Sequence, residues 1–303
     1  MRFGKLVIAV GTGFLGEVLI NNFHTYFNEI IVLSRSVKNQ NKLATYIQWD
    51  GETLTGWEGH LEGADVLINL AGKSVDCRYT EKNKALILNS RINSTKVLNK
   101  AVAQCEVPPK HFIQPSTATI YQHSVEVLNT EENGVIGDDF SMNIAKAWEK
   151  EFTAVAKPNT ICTILRTSIV LGKNGGALIP LKNIVKKGLG GKQGNGQQKV
   201  SRIHETDFAN SILFCIQNKI EGVLNVVAPN TVNNSDFMKS LRQTLKIPLG
   251  LPASKLLLQI GAFFLRTEPE LVLKSRNVYP EKLINAGFKF TYPKLNNAFN
   301  DLV

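Results

Sequence analysis

The stretch Lys5–Gly16, KLVIAVGTGFLG, decides the fold. Lys5 to Val10 is mostly β-branched or aliphatic, with no polar alternation, and reads as a strand buried on both faces of a parallel sheet. The chain then turns through Gly11, Thr12, Gly13, Phe14, Leu15 and Gly16, and an apolar-periodic helix follows through Val18, Leu19 and Phe23. Strand, glycine-rich turn and helix N-terminus make a cradle for a pyrophosphate, because the first helical N–H groups are unpaired and carry partial positive charge. Gly13 removes the Cβ that would hold the backbone off the phosphates, and Gly16 permits close helix–strand packing. The motif follows a strand and opens a helix, which is the context that gives it meaning.

Outward from this motif, strands and helices alternate. Glu29–Ser34 reads as the second strand and ends at Arg35, with Lys38 close by. An enzyme that selects NAD places an acidic residue about 20 positions after the glycines, to bind the ribose 2′-hydroxyl. Here Ser34 and Arg35 stand there, and an arginine fork attracts a 2′-phosphate. The expectation is NADP(H); the alternative for Arg35 is a solvated loop residue. Tyr46–Trp49 is a short strand ending at Asp50. Ala64–Gly72 is a buried strand whose small end, Leu70, Ala71 and Gly72, lets backbone approach a cofactor.

Lys82–Gln104 is a long helix, with Arg91 among its inward-spaced positions. A buried arginine needs an anionic partner, so Arg91 is either a phosphate or active-site residue or one half of an internal ion pair. His111–Tyr121 is a strand with a hydroxyl-rich end, Asp139–Ala154 a helix, and Thr160–Leu171 a strand entering the glycine-rich loop 172–176. Leu181–Arg202 is basic and glycine-rich: a substrate lid whose Lys186, Lys187, Lys192, Lys199 and Arg202 meet an anionic substrate, or a flexible surface loop. Ile203–Ile216 reads as a helix and Gly222–Val227 as a strand, and the chain beyond Ser235 is mainly helical.

The alternation implies an α/β, Rossmann-type, doubly wound parallel sheet. The expected organisation is a nucleotide-binding domain over 1–172 plus about 204–228, and a smaller, mainly helical substrate domain over about 173–203 and 229–303. The formal charge of +10 suits anionic ligands or is an inert basic surface. The basic residues are spread along the chain without a nucleic-acid motif, so nucleic acid is not an expected partner. The longest apolar candidate, Leu256–Leu265, is interrupted by Gln259 and Gly261 and is too short to span a bilayer. Four widely spaced cysteines, without C-x-x-C, read as reduced thiols of a cytoplasmic protein with no metal site. Self-association into a homo-oligomer is compatible with the long helices, but no stretch singles out an interface.

Together these stretches resemble the extended short-chain dehydrogenase/reductases, and more narrowly their atypical branch of epimerase family proteins. The resemblance rests on GTGFLG at 11–16, LSRS at 33–36, NLAG at 69–72, Ser90-Arg91 followed by Thr95, AWE at 147–149, LRTSIVLGKNGGAL at 165–178, GLGG at 188–191, SRIHETD at 201–207 and SRNVYPEKLINAGFKF at 275–290. It implies an NADP-binding oxidoreductase or epimerase-like enzyme acting on a small-molecule substrate. It maps cofactor contact onto Ser34, Arg35, Leu70, Ala71, a position near Leu86, Arg91 and Val170. Val10 stands where extended members carry the first glycine of their motif, and Arg202 where the branch commonly has tryptophan. The superfamily's Tyr-x-x-x-Lys pair is missing: its two places fall on Ser141 and Ala145. The strand-end hydroxyl maps to Thr117, and Tyr121 is the nearby phenol, so these two are the expected proton-handling residues. The competing expectation is a non-catalytic NADP(H)-binding regulator or partner-binding protein.

Overall fold

The computed structural model describes residues 2–37, 41–259, 268 and 270–303, with Leu271 described by its backbone; Lys38 therefore lies outside the described residues. Seven strands form one sheet in the spatial order β10 (Gly222–Val226), β6 (Ile161–Thr167), β5 (His111–Thr117), β4 (Val66–Asn69), β1 (Phe3–Ala9), β2 (Phe27–Ser34) and β3 (Thr45–Gln48). Every neighbouring pair is parallel. The chain winds outward from β1 in both directions, so the order reverses between β1 and β4. In sheets of this kind such a reversal is where ligands bind, beyond the C-terminal ends of the strands.

Alternate residues of the central strands feed two separate cores. Leu6 and Ile8 of β1 join Ile30 and Val32 of β2 on one face, against Leu19 of α1 (Phe14–Phe23) and Phe208 and Ile212 of α5 (Glu205–Gln217). Val7 and Ala9 join Ile31 and Leu33 on the other, against Leu98 and Val102 of α2 (Glu81–Gln104) and Phe152 of α3 (Phe140–Thr153). Burial on both faces is why these strands read as continuous apolar runs.

A third cluster lies outside the sheet. Leu178 and Val185 of α4 (Leu178–Lys186), Phe237 and Leu241 of α6 (Asn234–Thr244), and Phe299 and Leu302 of α9 (Leu295–Leu302) pack together. Leu283 of α8 (Glu281–Asn285) and Phe288 return instead to the first core.

Several elements differ from expectation for local reasons. The strand from His111 stops at Thr117, because the Thr117 hydroxyl accepts from Thr119 N at 3.1 Å and starts a 3-10 turn over Ala118–Ile120. The stretch Thr160–Leu171 divides at Ser168. Its end, β7 (Ile169–Leu171), leaves the main sheet to pair with β9 (Arg202–His204). The helix expected from Ile203 starts at Glu205, where the His204 ring nitrogen caps it by accepting from Thr206 N at 3.0 Å.

The glycine-rich segment after α4 is strapped down along its length. Leu251 N donates to Gly188 O at 2.8 Å, Gly191 N to Leu251 O at 3.0 Å and Ala253 N to Lys192 O at 3.0 Å. Buried Gln193 and Asn234 exchange two hydrogen bonds at 2.8 Å each, and β8 (Lys199–Val200) pairs antiparallel with β11 (Val232–Asn233). These bonds account for the backbone polar groups that a flexible loop would leave to water.

At the N-terminal end of β5, buried His111 Nε2 lies 2.6 Å from Thr163 Oγ1, which itself donates to Ile220 O. Burial pushes the imidazolium down to about 4 from an ordinary value of 6.5. The unfolded chain thus takes a proton that the folded chain refuses, so this contribution is complete above about pH 6.5 and lost as pH falls toward about 4. Between pH 7 and 5 the wild type should lose about 2 kcal/mol more stability than His111→Gln, measured by urea unfolding at the two pH values.

Candidate functional site

The glycine turn sits at the topological reversal. Val10 adopts φ 62°, the left-handed region, while its N–H donates to Leu33 O at 2.7 Å. The turn keeps the conformation a glycine would take, and a β-branched residue bears strain of about 1–3 kcal/mol. Gly16 is buried, and a Cβ there would overlap the Gly11 carbonyl oxygen, so α1 is seated directly on the turn. Thr12 and Gly13 are exposed; Gly13 caps α1, and a Cβ there would meet nothing within 4 Å. The N-terminus of α1 is therefore open to an approaching ligand. Phe14 points back, with Leu15, toward the first core. The loop 172–176 closes over Phe14, since a Cβ at Gly172 or Gly175 would overlap the ring. Gly176 takes φ 69° beside the Val170 carbonyl.

At the end of β2, Ser34 is buried and its hydroxyl donates to Ser36 O at 2.9 Å. Arg35 is exposed, and its carbonyl accepts from Gln48 Nε2 at 2.9 Å. No carboxylate occupies 34–37. At the end of β4, Leu70 N donates to Ala9 O at 2.9 Å, Ala71 is buried, and Gly72 lies against the Arg91 guanidinium, where a Cβ would come within 3.1 Å of Cζ.

Arg91 Nη1 donates to the carbonyls of Lys73 and Ile87, each at 3.0 Å, and its guanidinium stacks over Trp148 at 5.0 Å. Among the described residues it makes no ion pair with a carboxylate. Burial pulls its pKa down to about 10. The internal ion pair is thus not what holds this arginine: carbonyls and a ring do, which keeps a cation at the crevice wall. Val170 is buried behind the loop 172–176, whereas Leu86 is 43% exposed, one position off the buried stripe at Ile87.

The two expected proton-handling residues sit in different surroundings. Tyr121 is fully buried; its hydroxyl donates to Asn225 Oδ1 at 2.8 Å and accepts from Arg166 Nη1 at 3.0 Å. Burial raises its pKa. With both hydrogen-bonding capacities used and no exposed surface, Tyr121 is tied to Asn225 of β10 and Arg166 of β6. The Thr117 hydroxyl donates to Thr119 Oγ1 at 2.9 Å and caps the 3-10 turn, while remaining partly accessible.

The neighbouring residues that sequence reasoning passed over as chemistry are Glu149 and Arg166. Glu149 accepts two bonds from Arg166, at 3.0 and 2.8 Å, and one from Ser116 at 2.6 Å. Both lay inside quoted motifs, and only the register of β5 beside β6, which sets Ser116 opposite Arg166, brings them together. At the missing pair, Ala145 is fully buried and Ser141 donates to Glu270 Oε1, in α7 (Glu270–Leu273), at 2.6 Å.

Arg202 is likewise withdrawn from the expected substrate set. It is 1% exposed, donates from Nη2 to Pro293 O at 3.1 Å, and its Nε and Nη1 have no partner among the described residues. Burial pulls it down to about 10 against the opposing charge of Asp207. The Asp207 carboxylate is itself engaged by Thr291 N and Tyr292 N at 2.7 and 2.8 Å.

A family model for the NAD dependent epimerase/dehydratase family matches residues 7–227, the span that holds the glycine turn and six further strands of the sheet. The chain belongs to this family. Residues 253–302 match a second family model, a domain of unknown function (DUF1731). The epimerase family protein YfhF of Bacillus subtilis is 36% identical over 304 residues, covering 99% of this chain and 98% of its own. Human epimerase family protein SDR39U1 (isoform2), solved with NADPH, superposes with a TM-score of 0.88 at 27% identity, covering 98% of each chain. A nucleoside-diphosphate sugar epimerase from Corynebacterium glutamicum, also 27% identical, superposes with a TM-score of 0.79 over all of this chain and 58% of its own.

Two substitutions test the site's scaffold in this epimerase family member. Glu149→Ala strands the Arg166 guanidinium in the interior and should lower unfolding free energy by about 3–5 kcal/mol. Arg202→Met removes a buried cation and should raise it by about 1–3 kcal/mol. Both are read from urea denaturation at neutral pH.

Proposed function

We propose that this chain is an NADP(H)-dependent oxidoreductase or epimerase-like enzyme acting on a small carbonyl or sugar-type substrate in the cytoplasm. The observation that carries the reading is the open N-terminus of α1 at Gly13, with Arg35 exposed at the end of β2 and no carboxylate at 34–37. Membership of the NAD dependent epimerase/dehydratase family supports a nicotinamide nucleotide, and the NADPH of the human relative supports the phosphorylated form. No helix among the described residues is long and apolar enough to cross a membrane, and no group of three metal-binding side chains occurs among them.

On this reading the turn Gly11–Gly16 takes the pyrophosphate, and Ser34 and Arg35 take the 2′-phosphate. Leu70, Ala71, Gly72, Leu86, Arg91 and Val170 line the rest. The bound nicotinamide supplies or accepts a hydride. The protein's part is to orient it: a backbone cradle without side chains at Gly13, and a fixed cation at Arg91.

A second reading, a non-catalytic NADP(H)-binding regulator, is favoured by Ser141 and Ala145 in place of the Tyr-x-x-x-Lys pair and by the engaged hydroxyl of Tyr121. Titration of nicotinamide fluorescence tests what both share. NADPH should bind more tightly than NADH, and Arg35→Ala should weaken NADPH about tenfold to a hundredfold while leaving NADH unchanged. Equal affinity for the two nucleotides in the wild type removes the NADP assignment.

A further inference from the structure

The chain after α6 presents apolar side chains to solvent where it crosses the glycine-rich stretch after α4. Among the described residues, seven large apolar side chains are at least half exposed. Five of them, Leu189, Leu249, Leu251, Leu256 and Leu257, lie in these two stretches, and Leu249 reaches 80%. They are not carried on a loose loop. The bonds that join Leu251 to Gly188 and Gly191 set Leu189 beside Leu251. A Cβ at Gly191 would overlap the Leu251 carbonyl, and one at Gly250 the Gly190 carbonyl carbon, so glycine at both places permits the crossing. Arg242 of α6 closes it by donating to Gly190 O. Leu256 and Leu257 follow on a helical turn whose start is fixed by Ser254. Leu257 N donates to the Ser254 hydroxyl at 3.3 Å and Leu258 N to its carbonyl at 2.9 Å.

The same stretches carry cations and no acid. The sequence has no Asp or Glu between Glu151 and Glu205, or between Asp236 and Glu268. Lys186, Lys187, Lys192, Lys246 and Lys255 are exposed. Two copies of such a face would set lysine against lysine, so a symmetric pair is opposed by its own charge. The composition also differs from that of a protein–protein interface. Such interfaces are enriched in aromatic residues and Arg and depleted in Lys, and Leu is under-represented among their hot spots. Exposed leucines interspersed with lysines match instead a boundary of phosphate headgroups over acyl chains.

We propose that this face docks the protein on an anionic lipid bilayer, the leucines entering the boundary between headgroups and acyl chains and the lysines pairing with lipid phosphates. The proposal concerns where the molecule sits, and it is independent of the nicotinamide reading. Binding is peripheral: the leucines reach the near edge of the acyl layer and nothing crosses it. Each lysine near an anionic surface contributes about fivefold to partitioning, and the buried leucine surface adds to that.

The test is co-sedimentation of the full chain with lipid vesicles. The chain should bind vesicles of phosphatidylglycerol and phosphatidylcholine in equal parts, leave vesicles of phosphatidylcholine alone unbound, and bind less as salt rises. Leu249→Ser combined with Leu251→Ser should weaken binding at least about tenfold. Lys187→Glu combined with Lys192→Glu should do the same, again at least about tenfold. Val107→Ser, at an exposed valine elsewhere, should leave it unchanged. The variants are compared at equal urea midpoints, and Leu249→Trp reports entry directly: its added emission should move to shorter wavelength with the anionic vesicles alone. Absence of binding to anionic vesicles overturns the proposal and leaves the face to residues 260–267 of the chain or to an acidic protein. Binding indifferent to the leucine pair also overturns it, because charge alone then suffices. A dimer in sedimentation velocity without lipid, dissociated by the leucine pair, overturns it in favour of a second copy.

Discussion

The seat of α1 on the turn that precedes it constrains much of the molecule. The Gly16 backbone lies so near the Gly11 carbonyl that no side chain fits between them. That contact fixes where the helix begins, which way its N–H groups point and how Phe14 enters the core. Phe14 in turn is the floor under the loop 172–176, so one glycine contact near the N-terminus governs a loop about 160 residues later in the chain. The left-handed Val10 belongs to the same constraint. The turn must reverse direction within a few residues, and the fold imposes that geometry on valine where a glycine would adopt it freely.

A second organising feature is the buried polar chain behind the crevice. Ser116, Glu149, Arg166, Tyr121 and Asn225 are joined by successive hydrogen bonds, and Asn225 Nδ2 continues the chain to Tyr279 O at 3.0 Å. A fully satisfied network in a low-dielectric interior is rigid, because each member left unpaired would carry a large desolvation penalty. It ties β5, β6, α3, β10 and the C-terminal segment into one body. Of the hydroxyls that look reactive in the sequence, this network uses that of Tyr121, while that of Thr117 lies outside it, bonded to Thr119.

The segment matched by the second family model contacts the segment matched by the first. Glu268 and Glu270 reach the Tyr79 loop and Ser141, and Lys274 pairs with both Glu270 and Asp139, the N-cap of α3. The loop before α2 and the N-terminus of α3 are therefore braced by the C-terminal segment.

Much of this was legible in the residues alone. The apolar runs of β1, β2 and β4, the glycine spacing and the absence of an acid after Ser34 are local patterns. Local patterns determine strand, turn and helix because each depends on backbone sterics and on neighbours a few positions away. The sheet, its doubly wound character and the cradle for a dinucleotide follow from them. Long-range register decided the rest. Tyr121 and Tyr79 are both tyrosines near a motif; only the packing of β10 against β6 buries the first, and only the path of the loop before α2 sets the second against Phe140. Arg202 reads as a free cation in a basic, glycine-rich stretch until β7 and β9 pair and enclose it. Which side chains meet across a hundred residues depends on strand order and on hydrogen bonds between distant segments. No periodicity in the sequence encodes that information.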